Sequence, residues 1–203
     1  MRLLPVCVRV VGCLLVLMLL GTPFELVQAD DAGLKIISPQ PWQVFQRVGF
    51  DPARREKEPE NSAALGFAEI AVSLELTAPL AASEHLEYQL SSSQEEKQES
   101  GVWKQLPVAS SAAPANSVTS SILVPAGGWY RLDVRLAAEG KTQQAEVVER
   151  FGVGEVFLVA GQSYATNTND EKQGVTDPLQ RVVAFNTATG SWGVANDPQP
   201  APD

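Results

Sequence analysis

The chain has 203 residues, a net charge of −9 at neutral pH and 44% hydrophobic residues. That length holds one full domain, or one small domain with part of another. No basic patch with interleaved aromatics occurs, so nucleic acid is excluded as an expected partner, anionic membrane surfaces would repel the chain, and the acidity reads as solubility.

Arg2 and Arg9 flank the start of an apolar run from Val10 to Leu20, which Gly21, Thr22 and Pro23 end. Val27-Gln28-Ala29 then offers the small and medium residues a signal peptidase needs. Residues 1–29 read as a secretory signal peptide cleaved after Ala29, which makes the mature protein secreted or periplasmic. The run is too short to span a bilayer, which takes about 20 apolar residues, so no membrane contact is expected after cleavage. Val10-Val11-Gly12-Cys13 also looks like a lipobox, but the apolar run continues past Cys13 to Leu20, whereas a lipidated cysteine begins the mature chain. Cys7 and Cys13 both lie inside this segment. A mature chain without cysteine has no disulfide and no thiolate metal site, and neither metal nor cofactor is expected. Losing Arg2, Arg9 and Glu25 takes the net charge from −9 to about −10.

From Asp30 to Phe151 strand signals recur. Leu34 to Ile37 is a short run stopped by Ser38-Pro39-Gln40-Pro41, and Trp42 to Val48 is a second. Phe50 to Ala64 is polar; its charge run Arg54-Arg55-Glu56-Lys57-Glu58 reads as a solvated loop rather than a docking loop. Ile70, Val72, Leu74 and Leu76 alternate with Glu69, Ala71, Ser73 and Glu75, the pattern of a half-buried strand. Leu86, Tyr88 and Leu90 repeat it, and a polar hairpin loop follows over Ser91 to Ser100. Trp103 to Val108 is a short strand, Ala109 to Asn116 a loop, Val118 to Val124 a β-prone run and Gly127-Gly128 a turn. Tyr130, Leu132, Val134 and Leu136 alternate with Arg131, Asp133 and Arg135, with Trp129 and Tyr130 as candidate core anchors. Ala145 to Phe151 is the last strand. About eight short strands without a convincing helix predict an antiparallel β-sandwich over residues 30–151, immunoglobulin-like or fibronectin-like.

The next stretch carries the chemistry. Val156 to Ala160 is an unbroken apolar run with β-branched and aromatic members, as in a central strand covered on both faces. Gly161 breaks it, and Ser163 lands at the carboxyl end, where open α/β sheets place their ligands. A serine there, before a candidate helix start, is a candidate nucleophile, with its own backbone N–H and that of Tyr164 as oxyanion donors. The plainer reading is a buried strand ending in an ordinary polar turn.

Gly154-Glu155-Val156-Phe157-Leu158-Val159-Ala160-Gly161-Gln162-Ser163 resembles the first block of the sialate O-acetylesterase-like carbohydrate esterases, which belong to the SGNH (GDSL-like) hydrolases. The resemblance covers roughly the last quarter of the chain. It implies that residues 152–203 begin an SGNH-type α/β domain, that Ser163 within Gly161-Gln162-Ser163 is the nucleophile, and that an acetylated carbohydrate is the substrate. It also implies an all-β domain ahead of the catalytic one. The family motif continues with Asn where this chain has Tyr164.

Thr166 to Thr176 is polar and reads equally as a cleft lining beside the serine or as an exposed loop. Arg181 to Phe185 and Ser191 to Val194 flank a turn at Asn186-Thr187-Ala188-Thr189-Gly190. Trp192 reads as packed. His85, the only histidine, stands at a strand start far upstream of Ser163 and reads as a surface residue, not a general base. A complete α/β domain needs on the order of 150–250 residues, and about 50 follow Phe151. The family's later Gly and Asn blocks and its terminal Asp-x-x-His are absent. The expectation is therefore an exported carbohydrate O-acetylesterase-like chain, truncated and catalytically incomplete. The competing expectation is a secreted β-sandwich acting as a carbohydrate-binding or structural module without enzyme activity.

Overall fold

Period-two alternation decides which faces of the strands pack together. A computed structural model describes residues 33–59, 61–92, 102–108, 116–166 and 171–199, without the side chains of Ser62 and Thr166; the signal-peptide expectation over residues 1–29 lies outside them. The described chain is mainly β. Its strands are β1 (Leu34–Ser38), β2 (Val44–Gln46), β3 (Phe67–Leu76), β4 (Glu84–Ser92), β5 (Lys104–Gln105), β6 (Ser117–Pro125), β7 (Gly128–Ala138), β8 (Lys141–Gly154), β9 (Val183–Asn186) and β10 (Ser191–Val194). One sheet has the order β1-β3-β6, a second β2-β8-β7-β4-β5, and β9 and β10 form a separate hairpin.

Both larger sheets turn apolar faces to one core. Ala68, Ile70, Val72, Leu74 and Leu76 of β3 pack with Val118, Ile122 and Val124 of β6. Leu86, Leu132, Val134, Leu136, Val148, Phe151 and Val153 join them from the second sheet. Phe151 is fully buried. Its ring meets Phe45 edge-on at 6.3 Å and Tyr130 at 5.8 Å. Tyr130 turns its hydroxyl outward to donate to the carbonyl of Pro125 at 2.8 Å, and burial raises its phenol pKa.

Val148 and Phe151 are three residues apart yet both point inward. A β-bulge makes this consistent: Tyr130 pairs with Phe151 while Leu132 pairs with Val148, so β8 carries an extra residue opposite Arg131. The bulge also directs Arg150 to the outer face.

Several expectations change. The Phe50–Ala64 loop contains α1 (Pro52–Lys57) and a 3-10 turn over Ser62–Leu65. The signals for α1 are local: Asp51 accepts the N–H of Arg54 at 2.9 Å, and Pro52 occupies the first helical turn. The charge run is thus a solvated helix. The expected Trp103–Val108 strand shrinks to Lys104–Gln105. The Ser91–Ser100 loop falls outside the described residues beyond Ser92, which belongs to β4. The sheets are not wholly antiparallel, because β2 pairs with β8 in parallel, Val44 opposite Gly152 and Gln46 opposite Gly154. The last strand therefore runs to Gly154, past the expected boundary at Phe151. Trp129 is buried, but on the outer face of β7, away from the core cluster that takes Tyr130.

Phe151→Ala removes a fully buried ring that spans both sheets' core, and a loss of about 3–5 kcal/mol in unfolding free energy is expected in urea titration.

Candidate functional site

The block expected to form a buried strand lies outside every ladder. Residues 155–160 have no strand structure. Phe157 is 80%, Leu158 95% and Val159 71% exposed, against the expectation of a central strand covered on both faces. The composition is right for such a strand, but a ladder needs neighbours, and none of the described strands pairs with this segment.

The turn that follows is present. Gln162 O accepts the N–H of Ala165 at 2.8 Å, and Ser163 opens a single helical turn, α2 (Ser163–Thr166). Gly161 is required sterically: a Cβ there would come within 2.9 Å of the Ala165 Cβ, closer than two such carbons approach. The structure thus brings Gly161, Gln162, Ser163 and Tyr164 together, with the serine at the expected helix start. All four are exposed, Tyr164 to 86%.

The histidine belongs to another element. His85 is on β4, with Nε2 3.5 Å from Glu87 Oε1, and it lines a cleft of about 470 Å³ together with Leu80, Glu84, Gln105 and Leu106. Among the described residues no cluster of His, Cys, Asp or Glu could hold a metal ion, and no helix is long and apolar enough to cross a membrane.

Two sets of contacts, not visible in the sequence, attach the serine-bearing segment to the sheet. At its start, Gln46 Nε2 donates to Glu155 Oε2 at 2.9 Å and Arg47 Nε donates to Glu155 Oε1 at 2.8 Å. The N–H of Val156 donates to Gln46 Oε1 at 2.7 Å. These bonds, first from Gln46 and then from Arg47, lower the Glu155 carboxyl pKa. At its return, Trp129 Nε1 donates to the carbonyl of Leu179 at 2.7 Å. Trp129 meets Trp42 edge-on at 5.6 Å, and the Arg150 guanidinium lies 4.5 Å from the Trp42 ring and 5.8 Å from that of Trp129. Gly152 makes room for this cluster, since a Cβ there would meet the Trp129 ring at 2.8 Å.

Asp177 shapes the returning turn. Its carboxylate accepts from the backbone N–H of Leu179 and of Arg181 and pairs with the Arg181 guanidinium at 2.7 Å. The Arg181 side chain and backbone bonds lower its pKa from 3.8 to about 2. Beyond it, β9 and β10 form the expected hairpin, with Phe185 opposite Trp192 and ring centroids 5.4 Å apart. Residues 173 and 175 join this unit through the side chains of Asp197 and Asn196.

A carboxyl whose folded pKa is depressed stabilises the fold above its unfolded pKa and loses that contribution as pH falls through the folded value. Tryptophan fluorescence of the wild type is therefore expected to show an acid transition below pH 4, toward pH 2, as Asp177 protonates and the turn under Trp129 loosens. Asp177→Asn should remove that transition. Gly161→Ala is expected to speed amide exchange in residues 161–166 while leaving the thermal midpoint of the β sheets unchanged. No protein-family model and no curated protein matches this chain.

Proposed function

We propose that this chain is an exported carbohydrate O-acetylesterase-like protein: an immunoglobulin-like or fibronectin-like β-sandwich followed by the nucleophile block of an SGNH-type α/β domain. The observation that carries the reading is the block from Gly154 to Ala165. An apolar, β-prone run, a sterically required Gly161 and a serine opening a helical turn follow one another in the residues that resemble the first block of the esterase family. Ser163 would attack the acetyl carbonyl of a substituted sugar. The tetrahedral oxyanion would meet the backbone N–H groups of Ser163 and Tyr164, the sugar hydroxyl would leave, and water would release acetate from the acyl-serine.

A serine hydroxyl is a poor nucleophile at neutral pH without a base. His85, the sole histidine, is engaged with Glu87 on β4, so hydrolysis by this chain alone is expected to be slow, and the assignment concerns its lineage more than its rate.

A second reading, a carbohydrate-binding module, draws on the outer face of the five-stranded sheet. There Arg135 lies 4.1 Å from the ring of Trp103 and pairs with Glu87 at 2.6 Å, giving an aromatic and charged surface of the kind that holds sugars.

Hydrolysis of p-nitrophenyl acetate by the purified chain, compared with Ser163→Ala, decides between them. The esterase reading expects a slow rate that falls at least about tenfold in the variant. Saturable glycan binding with no Ser163-dependent hydrolysis would favour the binding module.

A further inference from the structure

We propose that Gln46 and Arg47 are positioning residues for the serine-bearing segment, and that with Trp129 they fix both ends of the excursion from Glu155 to Leu179. The functional part of this inference rests on Ser163 being the working residue of that segment. At the exit, one amide side chain holds two successive residues: Gln46 donates to the Glu155 carboxylate through Nε2 and accepts the N–H of Val156 through Oε1. Arg47 is itself immobilised. Its backbone N–H donates to the carbonyl of Gly154 at 2.8 Å, Nη1 donates to that of Leu65 at 3.2 Å, and its guanidinium lies 3.9 Å from the Phe50 ring. The ion pair with Glu155 therefore ties the exit to a side chain that is only 16% exposed.

At the return, the bond from Trp129 to Leu179 is joined by Arg150, whose Nη1 donates to Gln180 Oε1 at 3.4 Å. The two anchors are close together. Trp129 pairs with Gly152, and Glu155 follows three residues later, roughly 10 Å along an extended chain. A segment that leaves and returns at fixed, adjacent points samples far fewer arrangements than one held at a single end. The exposed run Val156 to Val159 thus starts from a backbone N–H that Gln46 holds. A passive connection between two domains would need none of these contacts, and such linkers are commonly polar and rich in glycine, serine or proline.

The test is residue-resolved amide exchange on the full chain, with Gln46→Met and Trp129→Phe variants. Both substitutions keep bulk and remove the bonding groups. In the wild type the Val156 amide should exchange at least about tenfold more slowly than those of Phe157 and Leu158. Gln46→Met should abolish that difference while the thermal midpoint stays within about 2 °C, as for other exposed substitutions. Trp129→Phe should instead raise protease cleavage in residues 156–166 and leave Val156 protected. Equal exchange of Val156 and Phe157 in the wild type, or unchanged Val156 protection in Gln46→Met, overturns the anchors. On the same samples, a Ser163-dependent p-nitrophenyl acetate rate whose kcat falls in Gln46→Met with KM unchanged supports positioning, and a rate unmoved by Gln46→Met overturns it. Absence of any Ser163-dependent rate removes the esterase reading, while the exchange data still decide the anchors.

Discussion

The parallel pairing of Val44–Gln46 with Gly152–Gly154 is the constraint on which the described C-terminal half depends. It extends β8 three residues past Phe151, so the chain leaves the sheet beside Gln46 and Arg47. On one face of this stretch Phe151 and Val153 fill the core; on the other, Gly152 leaves the space that Trp129 occupies. The bulge at Glu149–Arg150 aligns these roles by restoring the inward phase of Phe151 and turning Arg150 toward the two tryptophans. Core, exit and return thus meet at the end of β8, where Gln46, Arg47 and Trp129 of the neighbouring chain segments hold the serine-bearing segment.

That dependence explains what could be read from the residues alone. Strict alternation in Ile70–Leu76 and Tyr130–Leu136 identifies the buried faces of β3 and β7, because one side packs and the other meets water. The hairpin at Asn186–Gly190 is equally local: Asn186 Oδ1 accepts the N–H groups of Ala188 and Thr189, and Gly190 takes a positive φ. The strand β2 is legible as part of the run from Trp42 to Val48, but its parallel pairing is not, because Val44-Phe45-Gln46 gives no sign of a partner more than 100 residues away. The outward burial of Trp129 is hidden for the same reason, since its partners Trp42 and Leu179 are distant in sequence. The helix α1 was readable from Asp51-Pro52, yet its charged surface resembles a loop when only hydrophobic periodicity is followed.

The apolar run Val156–Val159 is the instructive failure. Its residue types match a buried strand, but burial belongs to the surroundings and not to the residue types, and no described strand lies beside it. The candidate site is legible only in its local part: a glycine turn followed by a helical turn that opens on the serine. The anchoring through Gln46, Arg47 and Trp129 depends on tertiary pairing and left no motif.

The serine and the run before it are both exposed. Backbone N–H groups stabilise an oxyanion strongly only where water is excluded and the local dielectric is low. Ser163 and Tyr164 lie in contact with solvent, so the turn lacks the medium in which backbone N–H groups stabilise an oxyanion effectively. Covering Val156 to Val159 would be favourable in itself, since burying each such side chain contributes about 1.5–3 kcal/mol. In the esterase reading, an element packed against that run would lower the dielectric around Ser163 and bring a proton acceptor within its reach. Packing and catalysis would then be completed by the same contact, with the segment already held in place at Glu155 and Leu179.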